Sequence, residues 1–170
     1  YAEFARVPCL EPADQQESYA MTREAFDLSE RVHSPVLIRI TTRLAHSRAG
    51  VETQAPRAQN KVRKADDRWG WTLMPQAAKA LWKALIPKYE SLRAESEKVA
   101  VVEPGAGDFG VVTAGLALEY YRENSGELEQ RPYHLHIGRY PMPYGALRDL
   151  ARRVKRILVI EEGYPFVERY

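Results

Sequence analysis

The sequence has little of what several functional classes require. Only Cys9 among its 170 residues is a cysteine, which excludes an internal disulfide, a four-cysteine zinc site and a cysteine-held iron–sulfur cluster within this chain. No apolar run approaches the roughly 20 residues that cross a bilayer. Neither sign of charge dominates, because 25 Lys and Arg against 23 Asp and Glu leave a net charge of +2. We therefore expect neither a nucleic acid nor a membrane as partner.

The composition is that of a globular protein, with 45% hydrophobic and 28% charged residues. A single cysteine is compatible with a reducing compartment, and we expect a cytoplasmic location. Residue 1 is Tyr1 instead of methionine, and no signal-peptide pattern follows it. We therefore expect a piece of a longer protein.

The first third of the chain predicts a helix followed by a strand. Asp14 and Glu17 form a capping box, which marks a helix start, and apolar residues recur at helical spacing at positions 21, 25, 28 and 32. Pro35 ends this helix because the residue before a proline is pushed out of the helical region. Residues 36–40 (VLIRI) then predict a strand buried on both faces, as in a parallel sheet.

Residues 48–74 predict a linker, because basic side chains are scattered there with little periodic apolar signal. The basic stretch at 57–68 lacks interleaved aromatic residues, so a solvated linker or docking on an acidic partner is favoured over RNA binding.

From residue 75 onward the pattern alternates between helices and apolar strands. We predict a helix that begins at Pro75 and is kinked or broken at Pro87. Strands follow at 111–115, 133–137 and 156–162, with helices between them, and the last strand has a buried pattern. This alternation indicates an α/β fold with a mostly parallel, three-layer sheet.

Two motifs resemble known ligand-binding sites, a dinucleotide site and a zinc site, but the residues around them do not fit those sites. Residues 105–110 fit G-x-G-x-x-G, but they precede a strand instead of following one, which argues against a dinucleotide site. His134 and His136 lie two apart on a predicted strand, so both side chains point to one face. Zinc would need a third ligand, which neither a cysteine nor an H-E-x-x-H motif supplies, so a polar strand face is favoured. The role of the two histidines stays open.

Polar residues follow two of the predicted strands. Glu161 and Glu162 end the last strand, where parallel sheets collect functional groups; an acidic pair at the start of the next helix is the alternative. Thr42, Arg43 and His46 follow the strand at 36–40, and such groups suit an anionic carboxylate; loop capping with surface charge is the alternative. We predict no catalytic and no metal-ligating residue within this chain.

Several of these segments together resemble the alpha subunits of indolepyruvate ferredoxin oxidoreductases, within the thiamine-diphosphate 2-oxoacid oxidoreductases. The resemblance is carried by residues 8–12 (PCLEP), 25–30 (AFDLSE), 35–43 (PVLIRITTR) with His46 and Ser47, 110–115 (GVVTAG), 140–143 (YPMP) and 161–168. The threonine-threonine-arginine block with His46 and Ser47 is its most specific part, and the match is weakest at 48–68.

The resemblance implies a domain layout. Residues 1–47 resemble the C-terminal part of a pyrimidine-binding thiamine domain, residues 48–74 a linker, and residues 75–170 a transketolase C-terminal-like domain. The family's thiamine-activating glutamate, diphosphate motif and cluster-binding cysteines lie outside these residues. The resemblance thus implies that this segment binds no cofactor alone and is mainly structural and inter-domain.

The resemblance also implies a function for the parent enzyme. That enzyme would decarboxylate an aryl 2-oxoacid oxidatively, using thiamine diphosphate, Mg²⁺, iron–sulfur clusters, coenzyme A and ferredoxin, together with a beta subunit. Thr42, Arg43 and His46 would lie nearest its active site or substrate, and Glu161 and Glu162 at an interface. A non-catalytic ligand-binding or interaction module with a transketolase-C-like fold is the alternative.

Overall fold

The computed structural model describes residues 1–62 and 68–170, and its strands form two sheets. The N-terminal elements are α1 (Ala2–Ala5), β1 (Cys9–Leu10), α2 (Gln15–Val32), β2 (Leu37–Ile38) and α3 (Thr42–His46). A 3₁₀ turn at Trp69–Trp71 comes before the remaining elements, which are α4 (Pro75–Val99), β3 (Val102–Glu103), β4 (Phe109–Ala114), α5 (Ala117–Ser125), β5 (Tyr133–Ile137), β6 (Arg139–Tyr140), α6 (Tyr144–Arg153) and β7 (Arg156–Ile160). A 3₁₀ helix at Val167–Arg169 ends the chain.

The larger sheet has the order β3-β5-β4-β7, with β4 parallel to both neighbours and β3 antiparallel to β5. The chain moves from β4 to one side to form β5 and then to the other side to form β7. Right-handed crossovers therefore place α5 and α6 on opposite faces of this sheet. Tyr121 of α5 stacks on His134 with ring centroids 4.2 Å apart, whereas Leu150 of α6 packs over Gly110. The three-layer α/β prediction is confirmed.

The main core lies between the larger sheet and α6. Leu135 of β5 and Leu150 of α6 are fully buried there, and burying one such side chain contributes roughly 1.5–3 kcal/mol. The other buried members of this core are Ala100, Val112, Ala114, Ile137, Met142, Ala146 and Val167. The core thus joins the residues after α4 into one packed unit.

The smaller sheet has the order β2-β1-β6, with β1 parallel to β2 and antiparallel to β6. The predicted strand at 36–40 is shorter than expected, and the prediction that it is buried on both faces is wrong. Leu37 is 42% exposed and Ile40 is 48% exposed. The physical reason is that, within the described ranges, β2 has β1 as its one strand neighbour and α2 packs beside it.

The predicted start of α2 is confirmed by its capping contacts. The Asp14 carboxylate accepts a hydrogen bond from the Glu17 backbone N–H at 2.7 Å, and the Glu17 carboxylate accepts one from the Ala13 N–H at 2.9 Å. Two backbone donors that a helix start leaves unpaired are thereby satisfied.

Of the two outcomes expected at Pro87, a kink or a break, the break does not occur, and the prediction for the last strand needs correction. The helix that begins at Pro75 continues through Pro87 to Val99 without a break, and the buried side chains of Tyr89 and Leu92 pack the turns after the proline. The last strand ends at Ile160, and its buried pattern is only partly realised, since Ile157 and Leu158 are exposed. β7 lies at the edge of the larger sheet, where β4 is its one strand neighbour in the part of the chain that the structure describes.

Residues 48–62 contain neither helix nor strand. Part of this segment lies alongside α2 and is hydrogen-bonded to its side chains. The Gln16 side chain accepts from the Glu52 backbone N–H at 2.8 Å, and the Tyr19 hydroxyl accepts from the Gln54 N–H at 2.9 Å. The remaining predicted linker includes residues 63–67, which lie outside the described ranges, and the division into domains stays a prediction.

Candidate functional site

A cavity of about 690 Å³ lies where the carboxyl ends of the two sheets meet. The larger sheet contributes Ala114 at the end of β4 and Glu161 and Glu162 after β7; the smaller sheet contributes Glu11 after β1 and Arg39 after β2. The chain leaves β4 toward one face and approaches β7 from the other, so this is the topological switch point of the larger sheet. Ligands of open α/β sheets bind at such a crevice.

Glu11 is the buried centre of this site, only 3% exposed. Its carboxylate accepts one hydrogen bond from the Arg39 guanidinium and another from the Tyr140 hydroxyl at 2.9 Å. Arg39 also donates to the backbone carbonyl of Glu162 at 2.5 Å. Burial raises the pKa of Glu11, while the Arg39 charge and the Tyr140 hydrogen bond oppose that shift. These contacts join the carboxyl ends of both sheets.

Gly115 allows Glu11 to occupy this position. The backbone of Gly115 has φ +50°, and a Cβ at this residue would lie 2.6 Å from the Glu11 Cγ. Any other side chain would displace the carboxylate and would also strain the backbone. This explains physically why a glycine ends the GVVTAG segment.

Two further groups beside Glu11 keep their protons at neutral pH. Burial and the Glu11 charge raise the pKa of the Cys9 thiol to about 11, so the thiol is not a nucleophile at neutral pH. Burial and Glu11 likewise raise the pKa of Tyr140, which keeps its hydroxyl a hydrogen-bond donor.

The two glutamates after β7, Glu161 and Glu162, lie in different environments. The Glu161 carboxylate accepts hydrogen bonds from the backbone N–H groups of Phe166, Val167 and Glu168 at 3.0, 2.9 and 3.2 Å. Glu161 therefore caps the last 3₁₀ helix, in line with the alternative that the acidic pair begins the next helix. Glu162 lines the cavity, and its Oε2 atom is buried with no hydrogen-bond partner among the residues described.

Aromatic residues form about a third of the cavity lining. The Arg169 guanidinium lies 4.5 Å from the centroid of the Tyr164 ring at the rim. An apolar wall with a few convergent polar groups is typical of a small-molecule site. The lining aromatic residues are Tyr1, Phe4, Tyr89, Tyr140, Tyr164 and Phe166.

The predicted active-site residues Thr42, Arg43 and His46 lie elsewhere, on α3. All three are exposed, and none of them lines the cavity. The Arg43 guanidinium lies 5.4 Å from the Tyr120 ring of α5. Their suggested role near an active site therefore stays a prediction.

Sequence reasoning missed Glu11, Arg39 and Tyr140 as members of a site. Glu11 and Arg39 each directly follow a strand of the structure, but the sequence placed Arg39 inside the predicted strand 36–40 and predicted no strand before Glu11. Tyr140 had no signal either, since the small sheet that brings it to Glu11 pairs residues far apart in the chain.

His134 and His136 point to one face of β5, as predicted, and share a hydroxyl. The Thr113 Oγ1 lies 3.0 Å from the Nε2 of His134 and 3.0 Å from the Nδ1 of His136. Burial lowers the pKa of both rings, that of His136 to about 4. Both imidazoles are therefore neutral at pH 7 and form part of the layer under α5.

The residues present do not fit the cofactors that the resemblance implies. In the described part of the chain no group of three or more His, Cys, Asp or Glu side chains is arranged to hold a metal ion. One cysteine is too few to hold an iron–sulfur cluster. We therefore derive no step through thiamine diphosphate, Mg²⁺ or a cluster at these residues. Separately, no described helix has the length and apolar character that a bilayer span requires.

The chain is similar in sequence to several curated proteins. The chain is 35% identical over 177 residues to indolepyruvate oxidoreductase subunit IorA of Methanothermobacter thermautotrophicus, and 30% identical over 173 residues to that of Archaeoglobus fulgidus. The chain is similar to one segment of IorA. Each alignment includes 99% of this chain, which spans 28% of the length of these relatives. The resemblance seen in the sequence is confirmed, although no protein-family model matches the chain.

The fold of this IorA-related chain also occurs in a solved structure. A 2-oxoglutarate:ferredoxin oxidoreductase from Magnetococcus marinus, with 2-oxoglutarate, coenzyme A and succinyl-CoA bound, matches it with a TM-score of 0.62. The match covers 93% of this chain and 35% of the other at 16% identity. At that identity the likeness establishes the fold alone.

Proposed function

We propose that this chain is part of a 2-oxoacid:ferredoxin oxidoreductase that acts on an aryl 2-oxoacid such as indolepyruvate. The similarity to IorA along 99% of the chain carries the proposal. In the reaction the carboxylate leaves as carbon dioxide, and the remaining acyl carbon forms a thioester with the sulfur of coenzyme A. The thiol proton is released, and two electrons pass to ferredoxin, one to each of two molecules.

The remaining parts of the enzyme would supply the cofactors and the other partners. We assign thiamine diphosphate, Mg²⁺ and the iron–sulfur clusters to residues outside this segment, because the described residues offer no ligand set for them. A beta subunit, ferredoxin and coenzyme A would then meet this segment only through the assembled enzyme. We propose a cytoplasmic location for that assembly.

This segment would have a structural and inter-domain role. Glu11 and Arg39 hold the carboxyl ends of the two sheets together, as described above. Exposed apolar side chains on β2 and α4, such as Leu37 and Trp82, offer surfaces on which other parts of the enzyme would pack. Burial of such surface is the main driving force for association.

The test compares the 170-residue chain with the complete enzyme, which consists of the parent chain and its partner subunit. Both are supplied with indolepyruvate, coenzyme A, thiamine diphosphate, Mg²⁺ and oxidised ferredoxin, and acyl-CoA formation and ferredoxin reduction are measured. We expect turnover by the complete enzyme and none by the segment. Acyl-CoA formed by the segment alone would contradict the structural role, and a complete enzyme that is inactive on aryl 2-oxoacids would contradict the proposed reaction.

A non-catalytic binding module is the second candidate, and the cavity at the switch point favours it. The two candidates differ in what the parent reading frame encodes. A downstream Gly-Asp-Gly…Asn stretch and clustered cysteines would support the enzyme, whereas a parent without them would support the module.

A further inference from the structure

We propose that residues 73–88 (LMPQAAKALWKALIPK) form an arm that docks in an apolar groove with an acidic rim on the partner subunit of the complete enzyme. The arm consists of the first half of α4 and the two residues before that helix. The partner subunit belongs to the function proposed above, and the docking site rests on that function for its presence.

An apolar stripe runs along α4 but is buried only in the second half of the helix. Leu81, Leu85, Tyr89 and Leu92 recur at helical spacing, which places them on one face. Tyr89 and Leu92 are buried, in the half of α4 that contacts α6. Leu81 belongs to the same stripe but is 41% exposed. The arm therefore carries the stripe beyond the part of the described chain that covers it.

The exposed apolar surface of the arm is wider than this stripe. Trp82 and Ile86 lie beside it and are 52% and 43% exposed. The Arg6 guanidinium lies 4.9 Å from the centroid of the Trp82 ring, so the ring is partly covered on one side. Leu73 and Met74, just before the helix, are exposed as well. Contiguous exposed apolar surface of this kind marks an interaction site.

The charges of the arm select an acidic partner. Lys79, Lys83 and Lys88 are its only charged residues, although the two signs nearly balance over the whole chain. Lys79 and Lys83 make no ion pair with any described residue, and an exposed apolar residue follows each of them three positions later. The second half of α4 differs, since Arg93 there is paired with Glu90 at 2.8 Å. Carboxylates at the rim of an apolar groove would pair the lysines of the arm.

A groove in a protein fits the arm better than a membrane surface, to which basic helices with exposed apolar side chains also bind. The residues that bury Tyr89 and Leu92 lie on the same side of α4 as Leu81. A flat bilayer approaching Leu81 would meet those residues first, whereas a helix or loop of another protein fits between them and the arm. A second copy of the arm fits poorly, because its lysines would repel these.

The first test measures the dissociation constant between the parent chain and the partner subunit by biolayer interferometry. Lys83→Glu replaces attraction by repulsion, and we expect it to weaken the association about tenfold. The matched control is Lys98→Glu, an exposed lysine of the same helix outside the arm, which should bind like the wild type. Unchanged affinity of Lys83→Glu, or equal losses in both variants, would overturn the proposal.

A second pair of variants tests the apolar stripe. Leu81→Asn places a polar group on the stripe, and we expect the association to weaken about tenfold. Ala80→Asn places the same amide on the opposite side of the helix and should leave the affinity unchanged. Both positions are exposed, so both variants should fold, and far-UV circular dichroism checks this. Equal affinities of the two variants would contradict docking through the stripe.

A photocrosslinker identifies what covers the arm in the assembled enzyme. With p-benzoylphenylalanine at position 81, we expect a cross-link to the partner subunit, in a peptide that contains Asp or Glu. No cross-link, or cross-links only within the parent chain or to a second copy of it, would overturn the proposal. Binding to phosphatidylserine vesicles that is lost in Lys83→Glu, with subunit affinity unchanged, would replace the protein groove by a membrane.

Turnover of indolepyruvate by the same wild-type preparation separates the docking site from the proposed reaction. Turnover together with unchanged subunit affinity in Lys83→Glu and Leu81→Asn overturns only the docking site. An assembled wild-type enzyme that loses affinity in both variants but does not turn over overturns only the reaction.

Discussion

The two sheets of this chain contain similar apolar sequences but are covered very differently. In β4 (FGVVTA) every residue after Phe109 is buried, whereas in β2 Leu37 remains 42% exposed. β4 has a strand on each side and a helix layer on each face, while β2 has one strand neighbour within the described ranges. An apolar run therefore predicts a strand, but the number of its neighbours decides how much of that run is buried.

This difference assigns more of the folding free energy to a central strand such as β4 than to an edge strand such as β2. Buried apolar area contributes in proportion to the surface removed from water. In the smaller sheet the central strand β1 is buried, with Leu10 1% exposed, and polar contacts at Glu11 add to that packing. The predictions below test this contrast, beginning with the largest effect.

The first prediction compares one leucine from each sheet. Leu135→Ala removes a fully buried side chain of β5, and we expect it to lower the free energy of unfolding by about 2–5 kcal/mol. Leu37→Ala removes the same atoms from an exposed position and should cost less than about 1 kcal/mol. Urea denaturation followed by far-UV circular dichroism measures both, and equal costs would contradict the contrast.

The second prediction concerns the pH dependence that the larger sheet introduces through His136. Its pKa is about 4 in the folded chain instead of 6.5, so the unfolded chain binds more protons between these values. This contribution is fully present above pH 6.5 and is lost as the pH falls toward 4. Its size is on the order of 3 kcal/mol.

Unfolding free energies of the wild type and His136→Gln, measured from pH 4.5 to 7, test this dependence. The variant should show a flatter increase with pH. Glu11, with its raised pKa, acts in the opposite direction above the ordinary value of 4.5, but it is present in both proteins and cancels in the difference. If the free energy of unfolding rises equally steeply with pH in the wild type and in His136→Gln, His136 has an ordinary pKa in the folded chain.

The third prediction tests the contact that holds the two sheets together. In Glu11→Gln the amide accepts from only one of the two donors, Arg39 or Tyr140, and its own NH₂ group meets the other. We expect a loss of about 1–3 kcal/mol in the free energy of unfolding. Glu168→Gln, which changes an exposed carboxylate, serves as the control and should cost close to nothing. If Glu11→Gln unfolds with the same free energy as the wild type, the two sheets are held together by packing alone.

The smallest effect is expected at the start of α2. Asp14→Ala removes the carboxylate that accepts from the Glu17 N–H, and the expected cost is about 1 kcal/mol. Asp14→Asn keeps an oxygen acceptor at the N-cap and should retain most of the stability. Thermal denaturation of the two variants distinguishes capping from a general effect of substitution at this position.

Much of the secondary structure was predictable because its signals are local. The capping box, the helical spacing in α2, and the apolar strands around Val112 and Leu135 all depend on neighbours a few residues apart. The errors came from Leu37 and Leu158, and of the two outcomes predicted at Pro87 the break does not occur. Exposure at the two leucines is set by missing strand neighbours in the described structure, and the helix at Pro87 is held by packing of the residues that follow it.

The candidate site was far less predictable, because its members come from distant parts of the chain. Glu11 meets Arg39 across 28 residues and Tyr140 across 129. Glu161 and Glu162 were predicted as one pair, yet the Glu161 carboxylate binds three backbone N–H groups, whereas the Glu162 Oε2 atom is buried without a hydrogen-bond partner among the described residues. Nothing in their adjacent positions distinguishes these two environments.

The amino-acid sequence by itself determined the α/β alternation, the helix starts and the relationship to IorA, because local spacing and residue identity are enough for each. Only the tertiary structure decided which apolar strands are covered, which carboxylate oxygen is buried without a partner among the described residues, and where the cavity lies. Burial and charge pairing depend on groups that sequence separation does not reveal, and they exist only once the two sheets have come together.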